Sequence, residues 1–193
     1  MIALDAARGV SIIPVTVDYA AMLAALVERN IAHLGAYLPM VTTVSTPAAA
    51  RAYLEAAEAR ARSGDMFEWH LFVDGDLCGS VRVKNIDTGN RKAEIGYFVG
   101  REHAGKGIAS AAVRSVLAYC FTSLQLNRME LHCAATNQAS IRVAERLGFT
   151  REGMLRQAEC LNGVFVDHLV YGLLSAEFDR EAPDRARAGP RSA

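Results

Sequence analysis

The stretch Gly100–Ser110, with the sequence GREHAGKGIAS, constrains the possible folds of this chain more than any other part of it. It follows a strand-like run, Glu94–Val99, and it opens a long helix with apolar residues at helical spacing. The first turn of a helix has unpaired backbone N–H groups and a dipole that favours negative charge. Glycine lets the backbone approach an anion without a Cβ in the way. The stretch therefore predicts a strand–loop–helix unit that binds a phosphate or diphosphate through its backbone.

Two nucleotide-binding loops have patterns close to this one. In a P-loop, G-x-x-x-x-G-K-[ST], the residues Gly100, Gly105 and Lys106 would fit. Gly107 would then replace the hydroxyl that binds Mg²⁺, which disfavours this class. A dinucleotide fingerprint, G-x-G-x-x-G/A, would have Ser110 at its third small position, and it belongs in the first βαβ unit of a fold, not this far along a chain. The loop alone does not select the class, so the rest of the chain has to.

Composition predicts one domain with a substantial apolar core. Hydrophobic residues make up 51% of the 193 residues, and the formal net charge is zero, so no general attraction to nucleic acid or membrane is expected. Apolar runs are too short to span a membrane, and no signal-peptide pattern is evident, which predicts a cytoplasmic protein. Residues 182–193 are rich in Pro, Arg, Ala and Gly, and we predict a disordered tail there, after a domain over residues 1–181.

The four cysteines are widely spaced and form no C-x-x-C pair. We interpret them as free thiols in a reducing compartment, because a catalytic cysteine that carries an acyl group would need a neighbouring base. The cysteines and histidines also lack the paired spacing of a metal site, and structural roles are favoured for His70, His132 and His168. No metal is therefore expected.

Hydrophobic periodicity and turn signals predict an α/β chain with the order β-α-α-β-β-β-α-β-α-β-β. The predicted helices are 19–30 (capped by Asp18), 47–63 (capped by Thr46), 108–121 and 138–147 (capped by Asn137), and the strands are 10–15, 67–73, 77–84, 91–99, 128–134, 149–161 and 164–174. An antiparallel meander thus passes into a parallel, right-handed crossover at the loop. Two neighbouring strands that diverge there could admit the linear arm of a ligand. Gly96 interrupts the third meander strand and predicts a bulge.

This order and three local patterns resemble the GNAT superfamily of acetyltransferases. The loop resembles the pattern [QR]-x-x-G-x-[GA] of that family, although Glu102 stands at the Gln/Arg position. The second pattern is Asn137-Gln-Ala-Ser140, followed by ERLGF. The third is EGMLRQAE, ending at Glu159 and followed by Leu-Asn-Gly, and it is similar to the RimJ/RimL type, which acetylates N-termini of ribosomal proteins. The early H-L-x-x-Y-L-P over residues 33–39 is similar to the same group.

The resemblance implies a splayed central sheet and acetyl-CoA as co-substrate. Backbone groups of Phe98 and Val99 would contact the pantetheine arm and the acetyl carbonyl, and Asn137 and Ser140 would lie beside the pantetheine and the sulfur. The N–H groups expected to bind the diphosphate belong to Ala104, Gly105, Lys106, Gly107, Ile108 and Ala109. Glu102 faces a loop meant for anions, and we expect its side chain to turn to solvent.

Acetyl transfer to an amine requires a neutral amine and a protonated thiol leaving group. An α-amino group has a pKa of about 8, against about 10.4 for lysine, so a weak base is sufficient for a chain terminus. In the RimL-type pattern that base is Glu159, although a solvated or salt-bridged glutamate is the structural alternative. Glu94 is a second candidate, with pairing to Lys92 or a nearby arginine as its alternative. Ser140 would donate a hydrogen bond to the sulfur, unless it only caps its helix.

The sequence thus predicts an acetyl-CoA-dependent N-acetyltransferase that acts on an α-amine, most directly a protein N-terminus such as that of a ribosomal protein. The first alternative is an enzyme for a small-molecule amine, such as an antibiotic or an aminoacyl nucleotide. The second is a non-catalytic regulator that binds acyl-CoA. The resemblance also suggests a homodimer.

Overall fold

The computed structural model describes residues 2–38 and 43–179, without the Asp5 side chain. The tail predicted at residues 182–193 and the domain boundary at residue 181 lie outside this part of the chain. Within it, four α-helices flank one sheet of eight strands. The helices are α1 (Ala20–Leu34), α2 (Pro47–Ser63), α3 (Ile108–Thr122) and α4 (Gln138–Arg146), and the strands are β1 (Leu4–Ala6), β2 (Val10–Pro14), β3 (Phe67–Val73), β4 (Asp76–Asp87), β5 (Lys92–Val99), β6 (Arg128–Ala134), β7 (Thr150–Leu161) and β8 (Val164–Leu174).

The sheet has the strand order β1-β2-β3-β4-β5-β6-β8-β7. Strands β5 and β6 pair in parallel through the α3 crossover, and every other neighbouring pair is antiparallel. The predicted α/β class and element order are therefore confirmed, apart from β1. This strand has only three residues, Leu4–Ala6, and such a short edge strand shows no alternating pattern in the sequence.

Local turn and capping signals place most element ends where the sequence predicted them. The hairpin between β3 and β4 turns at Asp74 and Gly75, with φ of 51° and 85°. Helix α2 begins with Thr46 Oγ1 accepting the Ala49 N–H, and it ends at Gly64 in the left-handed region. Asn137 caps α4 in the same manner as Thr46 caps α2. These signals act within a few residues, so they can be found in a sequence alone.

Three local predictions were wrong. Asp18 does not cap the first helix, because Thr16 Oγ1 accepts the Asp18 N–H and caps a short 3₁₀ turn that precedes α1. Met22, which helical spacing groups on one face with Leu23, Leu26 and Val27, is 37% exposed, whereas the other three are buried. The predicted bulge at Gly96 is absent, since β4 and β5 stay in register there; their register shifts instead between Lys84 and Asp87.

The sheet separates two hydrophobic clusters. Helices α3 and α4 cover a cluster that includes Trp69, Leu117 and Met129, whereas α1 and α2 cover one that includes Leu26 and Leu54. Successive side chains of a strand point to opposite faces, so β2 to β5 contribute to both clusters, whereas the apolar residues of β6 and β8 belong to the α3/α4 cluster. In the described residues, no helix combines the length and the apolar character that crossing a membrane requires.

Strands β5 and β6 separate after a short parallel pairing. Only Lys92–Glu94 pairs with Arg128–Glu130, so residues 95–99 and 131–134 diverge and leave a slot through the sheet. Along β5, residues 95–99 pair with β4 on one side, and alternate backbone groups on the other side face the slot. The predicted splayed sheet is confirmed, and its slot runs along residues 95–99 of β5 to the point where the loop Gly100–Ser110 begins.

Candidate active site

The loop between β5 and α3 presents a row of unpaired backbone N–H groups. Gly105 and Gly107 both adopt positive φ, 75° and 80°, and α3 begins at Ile108 with no side-chain cap. Within the described residues, the N–H groups of residues 105–110 donate no hydrogen bond, and the first helical bond runs from the Ala111 N–H to the Gly107 carbonyl. The Ala104 N–H, which was predicted to bind phosphate, instead donates to the Arg101 carbonyl at 3.2 Å. The unpaired N–H groups of this loop are therefore those of residues 105–110, and the Ala104 N–H is not among them.

Glu102 is exposed, as expected, with 44% of its side chain accessible, and it is also paired with a residue of α1. Its Oε1 accepts a hydrogen bond from Arg29 Nε of α1 at 2.8 Å. Its own backbone N–H and the Arg29 side chain lower the pKa of Glu102 to about 2. Asn30, buried beside it, accepts the Arg101 N–H at 2.8 Å. Helix α1 therefore anchors the loop and neutralises the one acidic side chain in it.

Arg8 is a cation at this loop that the sequence did not reveal. It lies in the 3₁₀ turn Ala7–Gly9 between β1 and β2, with φ of 69°, and this turn packs against α3. A Cβ built on Gly107 would lie 2.8 Å from Arg8 Nε and 3.1 Å from its Cζ, so the guanidinium lies directly on the glycine. The only local signal was Arg-Gly at a turn, and the contact joins positions 99 residues apart in the chain.

A cluster of neutral polar groups lies on the α3/α4 side of the slot. Tyr97 Oη and Ser140 Oγ are 3.0 Å apart, and the Cys133 thiol is hydrogen-bonded to Ser140. Asn137 Oδ1 accepts the Ser140 N–H at 3.2 Å, so the predicted capping geometry is present and leaves the Ser140 hydroxyl for other partners. Burial raises the pKa of both Tyr97 and Cys133. Near neutral pH, these groups act as hydrogen-bond donors and acceptors rather than as charged nucleophiles.

Glu159 lies on the opposite, α1/α2 side of the sheet, on β7. Its Oε2 is 2.9 Å from Nε2 of His168, on β8. The Glu159 side chain is 39% exposed and that of His168 is 16% exposed. A base on one side of the slot and a hydroxyl on the other is an arrangement that suits an amine attacking from one face while a thiol leaves towards the other.

Glu94, the second candidate base, is held by other groups. Its carboxylate accepts a hydrogen bond from Asn85 Nδ2 at 2.8 Å and pairs with Lys84 at 3.3 Å, rather than with Lys92 as the sequence suggested. Ligating atoms of Glu94, Glu130 and His132 come within 4.8 Å of one another. The nearby cations Lys84, Lys92 and Arg128 already pair with these carboxylates, which weakens both a base role and cation binding.

Two contacts join the elements around the α1/α2 opening of the slot. Tyr37 Oη, after α1, donates to the Thr136 carbonyl at 3.1 Å, one residue before Asn137. Asn162, at the tip of the β7–β8 hairpin, donates from Nδ2 to the Gly35 carbonyl at 3.1 Å. The end of α1 therefore bridges the loop before α4 and the β7–β8 hairpin on this side of the slot.

A family model described as an acetyltransferase (GNAT) domain matches residues 11–150. The chain belongs to the GNAT acetyltransferase family. A Bacillus subtilis protein, YdaF, which carries a provisional name as a ribosomal N-acetyltransferase, is 39% identical over 163 residues, covering 82% of this chain and 87% of YdaF. The predicted resemblance is thus confirmed, and the chain is an N-acetyltransferase.

Two further comparisons concern what such proteins bind. The spermidine N(1)-acetyltransferase of Vibrio cholerae is 35% identical over 92 residues, which cover 48% of this chain and 53% of that enzyme. The structure of RimL, a ribosomal L7/L12 α-N-protein acetyltransferase in complex with coenzyme A through a cysteine disulfide, matches with a TM-score of 0.86 and 25% identity. That match covers 90% of this chain and 98% of RimL.

Proposed function

We propose that this GNAT enzyme transfers the acetyl group of acetyl-CoA to an α-amine, with a protein N-terminus as the acceptor. The observation that carries the proposal is the slot between β5 and β6. Ser140 lies on its α3/α4 side, and on the α1/α2 face the Glu159 carboxylate contacts His168, which is paired with Ala134 at the rim of the slot. The unpaired N–H groups of residues 105–110 at one end of the slot support a diphosphate-bearing donor.

The donor would lie along the slot from the loop to Ser140. The N–H groups of Gly105 to Ala109 would bind the diphosphate, with the Arg8 guanidinium beside them, and backbone groups of Phe98 and Val99 would contact the pantetheine arm and the acetyl carbonyl. Its sulfur would then lie next to Ser140 and Cys133. RimL binds coenzyme A through a cysteine disulfide, which supports a thiol end close to a cysteine in this fold.

The acceptor would enter from the α1/α2 side. Glu159 would take a proton from the amine, and the neutral nitrogen would attack the thioester carbon. Because the α-amine has a pKa of about 8, a partly exposed carboxylate is a sufficient base, whereas lysine at about 10.4 would demand a stronger one. The contacts of Tyr37 and Asn162 border the opening on this side, and the end of a chain would enter beside them more easily than a side chain on a folded surface.

The reaction closes with departure of the coenzyme A thiol. Attack forms the C–N bond and moves charge to the acetyl oxygen, where a backbone N–H at the end of β5 would stabilise it by about 3–4 kcal/mol in comparable sites. The C–S bond then breaks, and the sulfur leaves against the Ser140 hydroxyl, which donates a hydrogen bond to it. The first amine proton is held by Glu159, the second leaves the nitrogen for solvent as the amide forms, and the departing thiolate takes a proton from solvent.

The test is release of free thiol from acetyl-CoA by the purified protein. Peptides that start with serine or alanine are acceptors, and the same peptides with an acetylated N-terminus and an internal lysine are the control. Thiol release with the free N-termini alone is expected. Release with the blocked lysine peptides, or with no peptide at all, would contradict the proposal.

A small-molecule amine is the second candidate, and the match to a spermidine enzyme favours it. Spermidine therefore belongs in the acceptor panel. Coenzyme A binding without any turnover would instead support the regulator. The predicted homodimer and cytoplasmic location stay predictions, and light scattering of the purified protein tests the first.

A further inference from the structure

We infer that His168 is a positioning residue for Glu159: it holds the carboxylate in the orientation that accepts the proton of the acceptor amine. The inference rests on the proposed function and deepens it, since it adds a residue to the acceptor side of the slot. His168 itself touches neither the donor nor the acceptor in this role.

An irregularity in β7 creates the contact. The register of β7 with β8 shifts between Leu155 and Glu159, and Gln157 within the shift adopts a φ of 50°. The Gln157 N–H donates to Asp167 Oδ1 at 2.8 Å, which anchors the bulge. Beyond the bulge Glu159 lies opposite Val166, so its side chain falls on the same face as His168. The bulge adds two residues to β7, so Glu159 keeps this face but lies opposite Val166 rather than Val164, one residue pair closer to His168.

The two partners differ in how firmly they are held. Strand β7 is the edge of the sheet and is exposed along most of its length, whereas β8 is paired on both sides. His168 on β8 is paired with Ala134 on β6, at the rim of the slot. The adjoining Asp167 carbonyl accepts the Ala135 N–H at 2.9 Å, which ties this part of β8 to the loop leading to Asn137. His168 therefore links Glu159, on the exposed edge strand β7, to the central part of the sheet and to the loop that precedes Ser140.

The chemistry of the contact suits a positioning role. When Nε2 of His168 carries the proton, it donates to Oε2 of Glu159, and Oε1 is left for the amine. Hydrogen bonds to a charged acceptor are short and strong, so this one would restrict an otherwise mobile side chain. The proton that leaves the amine ends on Glu159, and the Nε2–H of His168 is not transferred. The neighbouring His132 does not duplicate this contact, because it bonds to Glu130 at 3.2 Å.

Substitutions that keep or remove the donor at Nε2 test the inference. His168→Gln places an amide N–H near the position of Nε2, whereas His168→Asn is as polar but too short to reach it. We expect kcat to fall about 10-fold in His168→Asn and in His168→Ala, with the KM for acetyl-CoA unchanged, and to recover most of that loss in His168→Gln. His33→Ala, on the exposed end of α1, is the control for loss of a histidine, and its kcat should match that of the wild type.

A double-variant comparison distinguishes a positioning role from a purely structural one. In a Glu159→Gln background, removal of His168 should lower kcat no further, because the residue acts only through that carboxylate. Equal kcat in His168→Asn and His168→Gln would overturn the inference, and so would an additive loss in the double variant. If the wild-type enzyme releases no thiol with any acceptor, the proposed function fails instead. Thermal unfolding of each variant identifies any that do not fold, and the Gln/Asn comparison still decides if His168→Ala is one of them.

Discussion

We expect His70 to make the stability of this protein depend on pH between about 6.5 and 4. The side chain is fully buried on β3, against the rings of Tyr19 and Phe72. Within the described residues, neither ring nitrogen meets hydrogen-bond geometry with a partner, although the Thr16 backbone is near. Burial lowers the pKa of His70 to about 4 from 6.5, and the Glu68 carboxylate and the Thr16 backbone oppose this only in part.

The sign and size of the effect follow from the two pKa values. Because the folded pKa is the lower one, the unfolded chain takes up the proton first, and stability is lost as the pH falls from about 6.5 towards 4. A shift of one pKa unit corresponds to about 1.4 kcal/mol, so the full loss is about 3 kcal/mol. Between about pH 7 and pH 5, this residue alone should lower the free energy of unfolding by about 2 kcal/mol.

Urea unfolding at these two pH values measures the loss, with the fluorescence of Trp69, the one tryptophan of the chain, as the signal. His70→Phe keeps an aromatic ring in the same packing but cannot be protonated, and its loss between the two pH values should be smaller by about 2 kcal/mol. His33→Phe, at an exposed site, should behave as the wild type. An equal loss in wild type and His70→Phe would refute the reasoning, since it would show that other groups carry the pH dependence.

Three further substitutions test the site. Arg8→Ala should raise the KM for acetyl-CoA about 10-fold and leave turnover of acetyl-pantetheine, which has no diphosphate, unchanged, as expected for loss of a charge-assisted contact to phosphate. Ser140→Ala keeps the backbone N–H that Asn137 caps, so kcat should fall about 10-fold in steady-state assays with no loss of thermal stability. In Gly79→Ala, a Cβ would overlap the Phe98 carbonyl oxygen and lie 3.1 Å from the Val99 Cα, so urea unfolding should show a loss of about 1–3 kcal/mol. An unchanged KM, kcat or unfolding energy, respectively, would contradict each expectation.

Much of the fold could be predicted from the sequence because its signals are local. Each of these signals depends on residues a few positions apart. Examples are the apolar side chains along strand Phe67–Val73, the helix cap at Thr46 and the left-handed conformation of Gly148. The loop around Gly105 and Gly107 is of the same kind, since a strand end, two glycines and a helix start are contiguous. The acceptor-side glutamate and the Asn137–Ser140 pair were also found as short patterns, and their catalytic roles stay predictions.

The contacts that the sequence did not reveal have a common cause, which is that each depends on a partner distant in sequence. Helix α1 brings Arg29 to Glu102, and Arg8 reaches Gly107 from the turn after a three-residue strand at the sheet edge. The pairing of Glu159 with His168 required a bulge whose position depends on Asp167.

The sequence by itself determined the order of the elements, the anion-binding loop and the family. Only the tertiary structure decided which charges compensate one another and which two faces the catalytic candidates occupy. The physical reason is that hydrogen-bond caps, φ preferences and periodicity act over one or two turns of chain, whereas the register between Lys92–Glu94 and Arg128–Glu130 comes from packing of the whole sheet. That register stops after three residue pairs, and where it stops the slot opens for the reaction.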